Sequence, residues 1–174
     1  DRAAAADYKV LILTVDVPIP SVRRRDLRNG FTFPMRWGLK QLWDFTTHPH
    51  WSMATAAHAL RNGMPRPMNY ATSNSNTTFI RNANRGGADW SFLASLRERW
   101  HGKLVVKGVQ NPADAIRIKS MGADAIYVSN HGGRQLNAAP TAIDSLLEIR
   151  QAVGPKIPLI FDGGIRNGEH VVKA

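Results

Sequence analysis

Residues 104–128, with the sequence LVVKGVQNPADAIRIKSMGADAIYV, decide the fold class of this chain. The stretch begins with the apolar run Leu104–Val106, which predicts a β-strand, and it ends with a second apolar run, Ala125–Val128. Between these runs, Pro112–Met121 has a helical pattern, with proline at its first position and Asn111 as a suitable N-cap. A strand, a helix and another strand in succession predict one βαβ unit.

The same alternation continues on both sides of this unit. Upstream, Val10–Val15 is a near-continuous apolar run that predicts a strand buried on both faces, and Asp89–Trp100 predicts a helix. Downstream, Thr141–Val153 predicts a helix, Leu159–Phe161 predicts a fourth strand, and a helical pattern begins at Gly168. Four strands that each lead to a helix predict a parallel α/β sheet with right-handed crossovers, which fits a barrel or a doubly wound sheet.

Residues 31–88 interrupt this alternation. The stretch is far longer than an ordinary connection, and it contains three tryptophans, several prolines and the polar run Thr72–Thr78. Short amphipathic patterns occur near Leu39–Phe45 and Met53–Leu60. We interpret residues 31–88 as a functional loop, helical in part, that is inserted into a single domain spanning residues 1–174.

Composition and charge exclude several classes of protein. Of the 174 residues, 43% are hydrophobic and 21% are charged, which is typical of a globular protein. The absence of cysteine excludes disulfides, thiolate nucleophiles and thiolate metal sites. The net charge of +10 favours anionic partners such as phosphates, carboxylates or anionic lipids. Nucleic acid is not an expected partner, because no recognised basic and aromatic binding module accompanies the charge.

Polar or glycine residues follow each of the four predicted strands. Because the carboxyl ends of parallel strands meet at one edge of a sheet, these residues predict one shared ligand site. They are Thr14-Val15-Asp16, Lys107-Gly108, Ser129-Asn130-His131-Gly132-Gly133-Arg134-Gln135 and Asp162-Gly163-Gly164-Ile165-Arg166.

The motif SNHGGRQ at 129–135 resembles the active-site signature of the FMN-dependent 2-hydroxy-acid dehydrogenases and oxidases, which include lactate- and mandelate-oxidising enzymes. The other strand ends agree with this family in order and spacing: LTVDVP at 13–18, VVKG at 105–108 and DGGIRNG at 162–168. The resemblance covers essentially the whole chain. It implies a (β/α)8 barrel of the TIM type, of which this chain supplies the fourth to seventh strands, with the insertion after the fourth.

The resemblance also implies catalytic and substrate-binding residues. His131 is expected to be the general base, a role that suits imidazole because its ordinary pKa lies near neutrality. Asp16 is expected to orient the His131 ring and to stabilise the imidazolium that forms. Arg134 and Arg23 are similar to the family's clamp for the substrate carboxylate, which a guanidinium holds through two parallel hydrogen bonds. Ser21 departs from the family pattern, which has glycine near that position.

The cofactor implied by the resemblance is FMN. Lys107 is expected beside the N1–C2=O edge of the flavin, where a positive charge stabilises the anionic reduced form. Thr14 and Ser129 match flavin contacts of the family. The family's loop for the ribityl phosphate is matched by Asp162, Gly163, Gly164 and Arg166. Glycines suit such a loop because their backbone N–H groups can approach a phosphate closely, and arginine adds positive charge.

The expected reaction is oxidation of an L-2-hydroxy acid to the 2-oxo acid, and the insertion bears on the electron acceptor. FPM at 33–35, HPHWS at 48–52 and NGMP at 62–65 resemble the loop of the membrane-associated members of the family. This likeness implies a protein in the cytoplasm, docked through residues 31–88 on an anionic membrane at the inner face of the cell membrane, with electrons passing to quinone. The alternative interpretation is that the insertion forms a soluble lid over the active site, as in oxidases that use dioxygen.

Two further readings remain open at this stage. Another phosphate-binding barrel would explain residues 162–168 but not His131 together with Arg134, and inosine-monophosphate-dehydrogenase-like chemistry requires a cysteine that is absent. The second of these interpretations is that the chain is a truncated, non-catalytic interaction module. Half a barrel leaves two unpaired strand edges, so we expect a longer protein or a second segment that completes the barrel, and the resemblance implies a homotetramer.

Overall fold

The fold was determined as a computed structural model, which describes residues 2–17, 24–30, 38–63 and 88–174. The described strands are β1 (Val10–Thr14), β2 (Lys103–Val109), β3 (Ala125–Val128) and β4 (Leu159–Phe161). The described helices are α1 (Arg2–Ala5), α2 (Arg24–Arg28), α3 (Leu39–Thr47), α4 (Pro49–Asn62), α5 (Trp90–Arg99), α6 (Pro112–Ser120), α7 (Ala142–Val153) and α8 (Gly168–Lys173), and a 3-10 turn covers His131–Gly133.

The four strands form one parallel sheet in the order β1-β2-β3-β4. Val10 lies opposite Lys103, and Ile126 lies opposite Leu159, so each strand pairs with the next one along the chain. Helix α6 connects β2 to β3 and helix α7 connects β3 to β4, as parallel pairing requires. The predicted parallel α/β sheet is therefore confirmed, with strand and helix ends that differ by a few residues from the sequence prediction.

One face of the sheet packs against helices and forms the core. Strand side chains alternate between the two faces, and those that point to the helices are almost completely buried. Members of this core, from β2, β3, α5, α6 and α7 in turn, include Leu104, Val106, Ile126, Val128, Leu93, Ile118 and Ile149. This packing fixes the carboxyl ends of β2 and β3 beside each other.

On the opposite face, the outer strands are exposed in the described part of the chain, while Val105 and Ala125 in the middle of the sheet are buried. Val10 and Ile12 of β1 retain 48% and 50% of their surface, and Ile160 of β4 retains 39%. The prediction that β1 is buried on both faces is therefore wrong for the residues described, because the helices cover only one side of the strand. β1 and β4 are also the two edges of the sheet.

The helix ends follow the capping residues of the sequence. Asn111 Oδ1 accepts a hydrogen bond from the Ala113 N–H at 2.8 Å, as predicted for an N-cap. Thr141 and Asp89 cap α7 and α5 in the same way, so both helices begin one residue later than predicted. These caps fix where each connecting loop ends and its helix begins.

The chain divides into two compact units, one formed by residues 1–22 with 84–174 and the other by residues 23–83. In the second unit the predicted amphipathic stretches are the helices α3 and α4. Phe45 stacks on Trp51 with ring centroids 5.4 Å apart, and the Ser52 hydroxyl donates to the Phe45 carbonyl at 2.8 Å. Within the described ranges, no helix is long and apolar enough to cross a bilayer. Residues 33–35, 64–65 and 72–78 lie outside the described residues.

Candidate active site

The carboxyl ends of the strands bring His131 and Asp16 together. Asp16 lies two residues beyond β1, and His131 lies three residues beyond β3. The His131 Nδ1 and Asp16 Oδ1 atoms are 3.1 Å apart, across 115 residues of sequence. The Asp16 side chain is 9% exposed and that of His131 is 33% exposed, so the carboxylate is enclosed while the ring reaches solvent.

A tight turn presents His131. Its backbone φ is +57°, the left-handed region that non-glycine residues rarely adopt, and it opens the 3-10 turn His131–Gly133. The His131 N–H donates to Ser129 Oγ at 3.1 Å. Asn130 Oδ1 accepts from the Gly133 N–H at 3.1 Å, and Asn130 Nδ2 donates to the Pro140 carbonyl at 3.2 Å. These bonds hold the turn in a conformation that its backbone alone disfavours.

The contact with Asp16 defines what the His131 ring can do. An ionised carboxylate only accepts hydrogen bonds, so this pairing places the ring proton on Nδ1 and leaves the lone pair of Nε2 for a substrate proton. Asp16 Oδ2 is buried and has no hydrogen-bond partner among the described residues. The pair therefore has the geometry of a general base oriented by a carboxylate.

A second pair, Lys107 and Asp162, lies at the ends of β2 and β4. The Lys107 ammonium forms an ion pair with Asp162 Oδ2, donates to Ser129 Oγ at 3.1 Å, and lies 3.8 Å from the centre of the Tyr127 ring. The Lys107 side chain is only 18% exposed. The sequence analysis predicted both residues at the ligand site but did not predict this ion pair.

The surroundings of Asp162 hold its pKa below the ordinary value. Burial acts to raise this pKa, but hydrogen bonds from the Lys107 ammonium and the Ser129 hydroxyl, together with the Lys107 charge, lower it by more. Asp162 Oδ1 is buried and has no hydrogen-bond partner in the described part of the chain. The carboxylate is therefore ionised near neutrality and retains an open acceptor position.

Ser129 joins the two pairs. Its side chain is completely buried, and its Oγ accepts from both the Lys107 ammonium and the His131 backbone N–H. The sequence analysis predicted Ser129 as a flavin contact. In this structure its hydroxyl connects the position of the ammonium to that of the imidazole.

The structure describes the positions of the other predicted site residues, with the exception of Arg23. Thr14 lies opposite Lys107 in the sheet and is exposed. The Arg134 N–H donates to the His131 carbonyl at 3.3 Å, and its side chain is exposed, as is that of Arg166. Arg23 lies outside the described residues. Gly163 and Gly164 have φ of +107° and +76°, and a Cβ on Gly164 would meet no atom within 4 Å.

This set of groups fits the polar parts of a flavin nucleotide. An ammonium suits the electron-rich N1–C2=O edge, and the open acceptor position on Asp162 Oδ1 suits a hydroxyl of a polyol chain. The glycines after β4 leave backbone and open space beside the same strand end. Lys107, Asp162, Gly163 and Gly164 are therefore the residues best suited to hold the cofactor.

A cleft of about 290 Å³ lies beside Asp16, and its lining includes Gln110, which the sequence analysis missed. Its lining includes the amide side chains Gln110, Asn130 and Gln135 together with Asp16. Gln110 Nε2 and Asn130 Nδ2 both donate to the Pro140 carbonyl, at 3.0 and 3.2 Å. Asn130 and Gln135 belong to the predicted motif at 129–135, whereas the contact of Gln110 with Pro140 spans 30 residues and has no local sequence signal.

Comparison with known proteins shows similarity along the whole chain. A family model described as FMN-dependent dehydrogenase matches residues 1–174. The L-lactate dehydrogenase of Chromohalobacter salexigens is 34% identical over 99% of this chain and 45% of its own length. The (S)-mandelate dehydrogenase of Pseudomonas putida is 35% identical over 99% of this chain and 44% of its own length. The chain thus spans slightly less than half the length of these relatives.

Solved structures give the same result for the fold. The monotopic membrane protein (S)-mandelate dehydrogenase matches with a TM-score of 0.84 and 34% identity, covering 99% of this chain and 46% of its own. A lactate oxidase from Pediococcus acidilactici matches with a TM-score of 0.65 and 32% identity, covering 99% of this chain and 39% of its own. The predicted fold class, part of an α/β barrel, is confirmed.

Proposed function

This chain belongs to the FMN-dependent dehydrogenase family, and from that premise we propose that the protein oxidises an L-2-hydroxy acid, lactate-like or mandelate-like, to the 2-oxo acid. The observation that carries the proposal is the His131 Nδ1 to Asp16 Oδ1 contact of 3.1 Å at the carboxyl end of a parallel sheet. Two of the similar proteins are named for oxidation of lactate and mandelate.

In this proposal each polar group has a defined task. His131 Nε2 accepts one proton from the carbon or the hydroxyl of the substrate, while Asp16 holds the proton on Nδ1 and balances the charge of the imidazolium. Arg134 and Arg23 clamp the substrate carboxylate, so that the reacting carbon is fixed relative to His131. FMN, when bound, supplies the two-electron acceptor that the oxidation requires.

The chain's own groups also support the cofactor. The Lys107 ammonium is kept in place by Asp162, Ser129 and the Tyr127 ring, so its charge is fixed before any ligand arrives. The open position on Asp162 Oδ1 suits a ribityl hydroxyl. Thr14 lies opposite Lys107 on the neighbouring strand and is a further candidate contact.

The test is turnover of the natural full-length protein with lactate, glycolate, mandelate and longer 2-hydroxy acids. His131→Gln is expected to lower turnover by about 10²-fold or more, as loss of a general base does. His101→Gln is the matched control, because this exposed histidine precedes β2 at the opposite end of the strand. An unchanged rate in His131→Gln, or a protein that binds no flavin, contradicts the proposal.

We further propose that residues 31–88 dock the protein on an anionic membrane, at the cytoplasmic face, and that electrons pass to a membrane quinone. This range holds six Lys and Arg residues against one Asp. On α3, Leu39, Leu42 and Trp43 share one face and are 87%, 59% and 70% exposed. On α4, Met53 and Leu60 are also exposed, at 62% and 88%. Apolar faces next to excess positive charge suit an interfacial helix.

Liposome co-sedimentation tests this second proposal. The double substitution Leu39→Ser with Trp43→Ser is expected to reduce binding to anionic vesicles at least tenfold, because it removes the apolar face of α3. Thr55→Ala, an exposed polar position on α4, is the control and should bind normally. Failure of the unaltered protein to bind anionic vesicles at any salt concentration, with fast turnover on dioxygen, would favour a soluble oxidase instead.

A further inference from the structure

Gly108 is an extra residue in β2. Lys107 lies opposite Tyr127 and Val109 lies opposite Val128, so Gly108 has no partner of its own in β3 and forms a β-bulge. Its φ is +97°, a conformation that residues with a side chain rarely adopt. The bulge therefore lies one residue beyond Lys107, at the carboxyl end of β2.

Asp16 occupies the space that a side chain on Gly108 would take. A Cβ at this position would lie 2.5 Å from both Cβ and Cγ of Asp16 and 2.9 Å from its backbone N. Gly122 has a similar φ of +84°, yet its nearest contact would be an ordinary 3.5 Å to Arg97 Cδ. The close approach at Gly108 is therefore specific to Asp16 and is not a general result of positive φ.

The backbone next to Asp16 is tied to β2. The Val15 N–H donates to the Lys107 carbonyl at 2.9 Å, one residue before the bulge. Because the Cβ and N of Asp16 are fixed by its main chain, a methyl group on residue 108 would push the main chain at Asp16 away from β2, and the carboxylate would move with it. That displacement would separate Asp16 Oδ1 from His131 Nδ1, which are now 3.1 Å apart.

We infer that Gly108 is a positioning residue for the reaction, because its missing side chain lets Asp16 lie against β2 with its carboxylate on the His131 ring. The inference rests on the proposed function in so far as the His131–Asp16 pair performs the proton transfer. Gly108 itself touches neither substrate nor cofactor in this account. It acts by fixing the distance between a base and the group that orients it.

Four variants of the natural full-length protein test this role. Gly108→Ala is expected to lower kcat by about 10²-fold with little change in KM, since a misplacement of about 1 Å at a catalytic group costs that much. Gly122→Ala, which introduces the same strain at a similar φ, is expected to keep kcat. In an Asp16→Asn background, Gly108→Ala should cost less than about threefold further, because both changes disturb the same pair. An equal loss in both backgrounds overturns the inference.

A second readout depends on neither flavin nor turnover. The ¹⁵N shifts of the histidine rings, assigned with His131→Gln, report which ring nitrogen carries the proton. His131 is expected to keep its proton on Nδ1 in the unaltered protein and in Gly122→Ala, and to become a mixture of tautomers in Gly108→Ala. If His131 keeps its proton on Nδ1 in Gly108→Ala as well, the inference is wrong. If no 2-hydroxy acid is oxidised by the unaltered protein, the proposed function fails, while this measurement still decides the role of Gly108.

Misfolding of Gly108→Ala is itself informative when a second substitution is added. Asp16→Gly removes the two side-chain atoms that a Cβ on residue 108 would meet at 2.5 Å, and the more permissive glycine main chain can shift to relieve the remaining 2.9 Å contact with the backbone N. The double variant is therefore expected to recover soluble, cooperatively folded protein. If the double variant also fails to fold, the contact with Asp16 is not the reason for glycine at this position, and the inference is wrong.

Discussion

At the scale of single residues, the site depends on a carboxylate that is kept ionised. The pKa of Asp162 is lowered in the folded protein, where the Lys107 and Ser129 bonds outweigh burial. A lowered folded-state pKa stabilises the fold above the unfolded-state value of about 3.9, and this contribution is lost as the pH falls through the folded-state value. The Lys107–Asp162 pair therefore stabilises the protein at neutral pH and not in strong acid.

Asp162→Asn tests this pH dependence. At pH 7 the variant is expected to have a lower Tm than the unaltered protein, because it leaves a mostly buried ammonium without its counter-charge. The difference should begin to shrink as the pH falls below about 3.9, because Asp162 of the unfolded protein then binds a proton while Asp162 of the folded protein stays ionised until its own lower pKa is reached. Calorimetry of both proteins between pH 3 and 7 measures the difference, with Asp114→Asn on the exposed side of α6 as the control. A Tm difference that stays constant with pH contradicts the account.

At the scale of elements, the 3-10 turn His131–Gly133 has a fixed shape because Asn130 bonds both of its sides. Asn130→Ala removes the bonds to Gly133 and Pro140, which is expected to destabilise the protein by about 1–3 kcal/mol and to lower kcat by loosening the turn that presents His131. Asn130→Asp keeps an acceptor for the Gly133 N–H and loses only the donor to Pro140, so its effect should be smaller. Denaturant unfolding and kcat are measured for both variants, and each loss should be larger in Asn130→Ala than in Asn130→Asp. A larger loss in Asn130→Asp would refute this account of the turn.

At the scale of the whole molecule, the outer strands of one sheet face and the two sheet edges are exposed in the described residues. An exposed apolar face beside unpaired strands promotes association. We therefore expect a polypeptide of residues 1–174 alone to self-associate. Ile12→Thr, on the exposed face of β1, is expected to reduce this self-association without changing the helix content. Sedimentation velocity with circular dichroism measures both, and Ile116→Thr on the exposed side of α6 is the control. A monodisperse monomer would contradict this expectation.

The sequence predicted the sheet well and the site in part, for physical reasons that differ. Strands, caps and turns are local signals, so α6 with its Asn111 cap followed from a few neighbouring residues. The likeness of SNHGGRQ to a known signature predicted the His131–Asp16 contact as well. The Lys107–Asp162 ion pair and the close approach of Gly108 to Asp16 were not predicted, because each joins atoms far apart along the chain and the family resemblance implied neither contact. The exposed face of β1 was missed because hydrophobicity alone does not tell what covers a strand.

The left-handed backbone conformation of His131 costs stability at a residue that the proposed reaction needs. Asparagine adopts a φ of +57° more readily than histidine, and a short amide would relieve local strain at this turn. His131→Asn is therefore expected to melt at a higher temperature than His131→Gln, which loses the same imidazole contact with Asp16, while both variants lose nearly all turnover. Under the proposed function, the protein thus keeps an imidazole at a backbone conformation that asparagine would adopt with less strain.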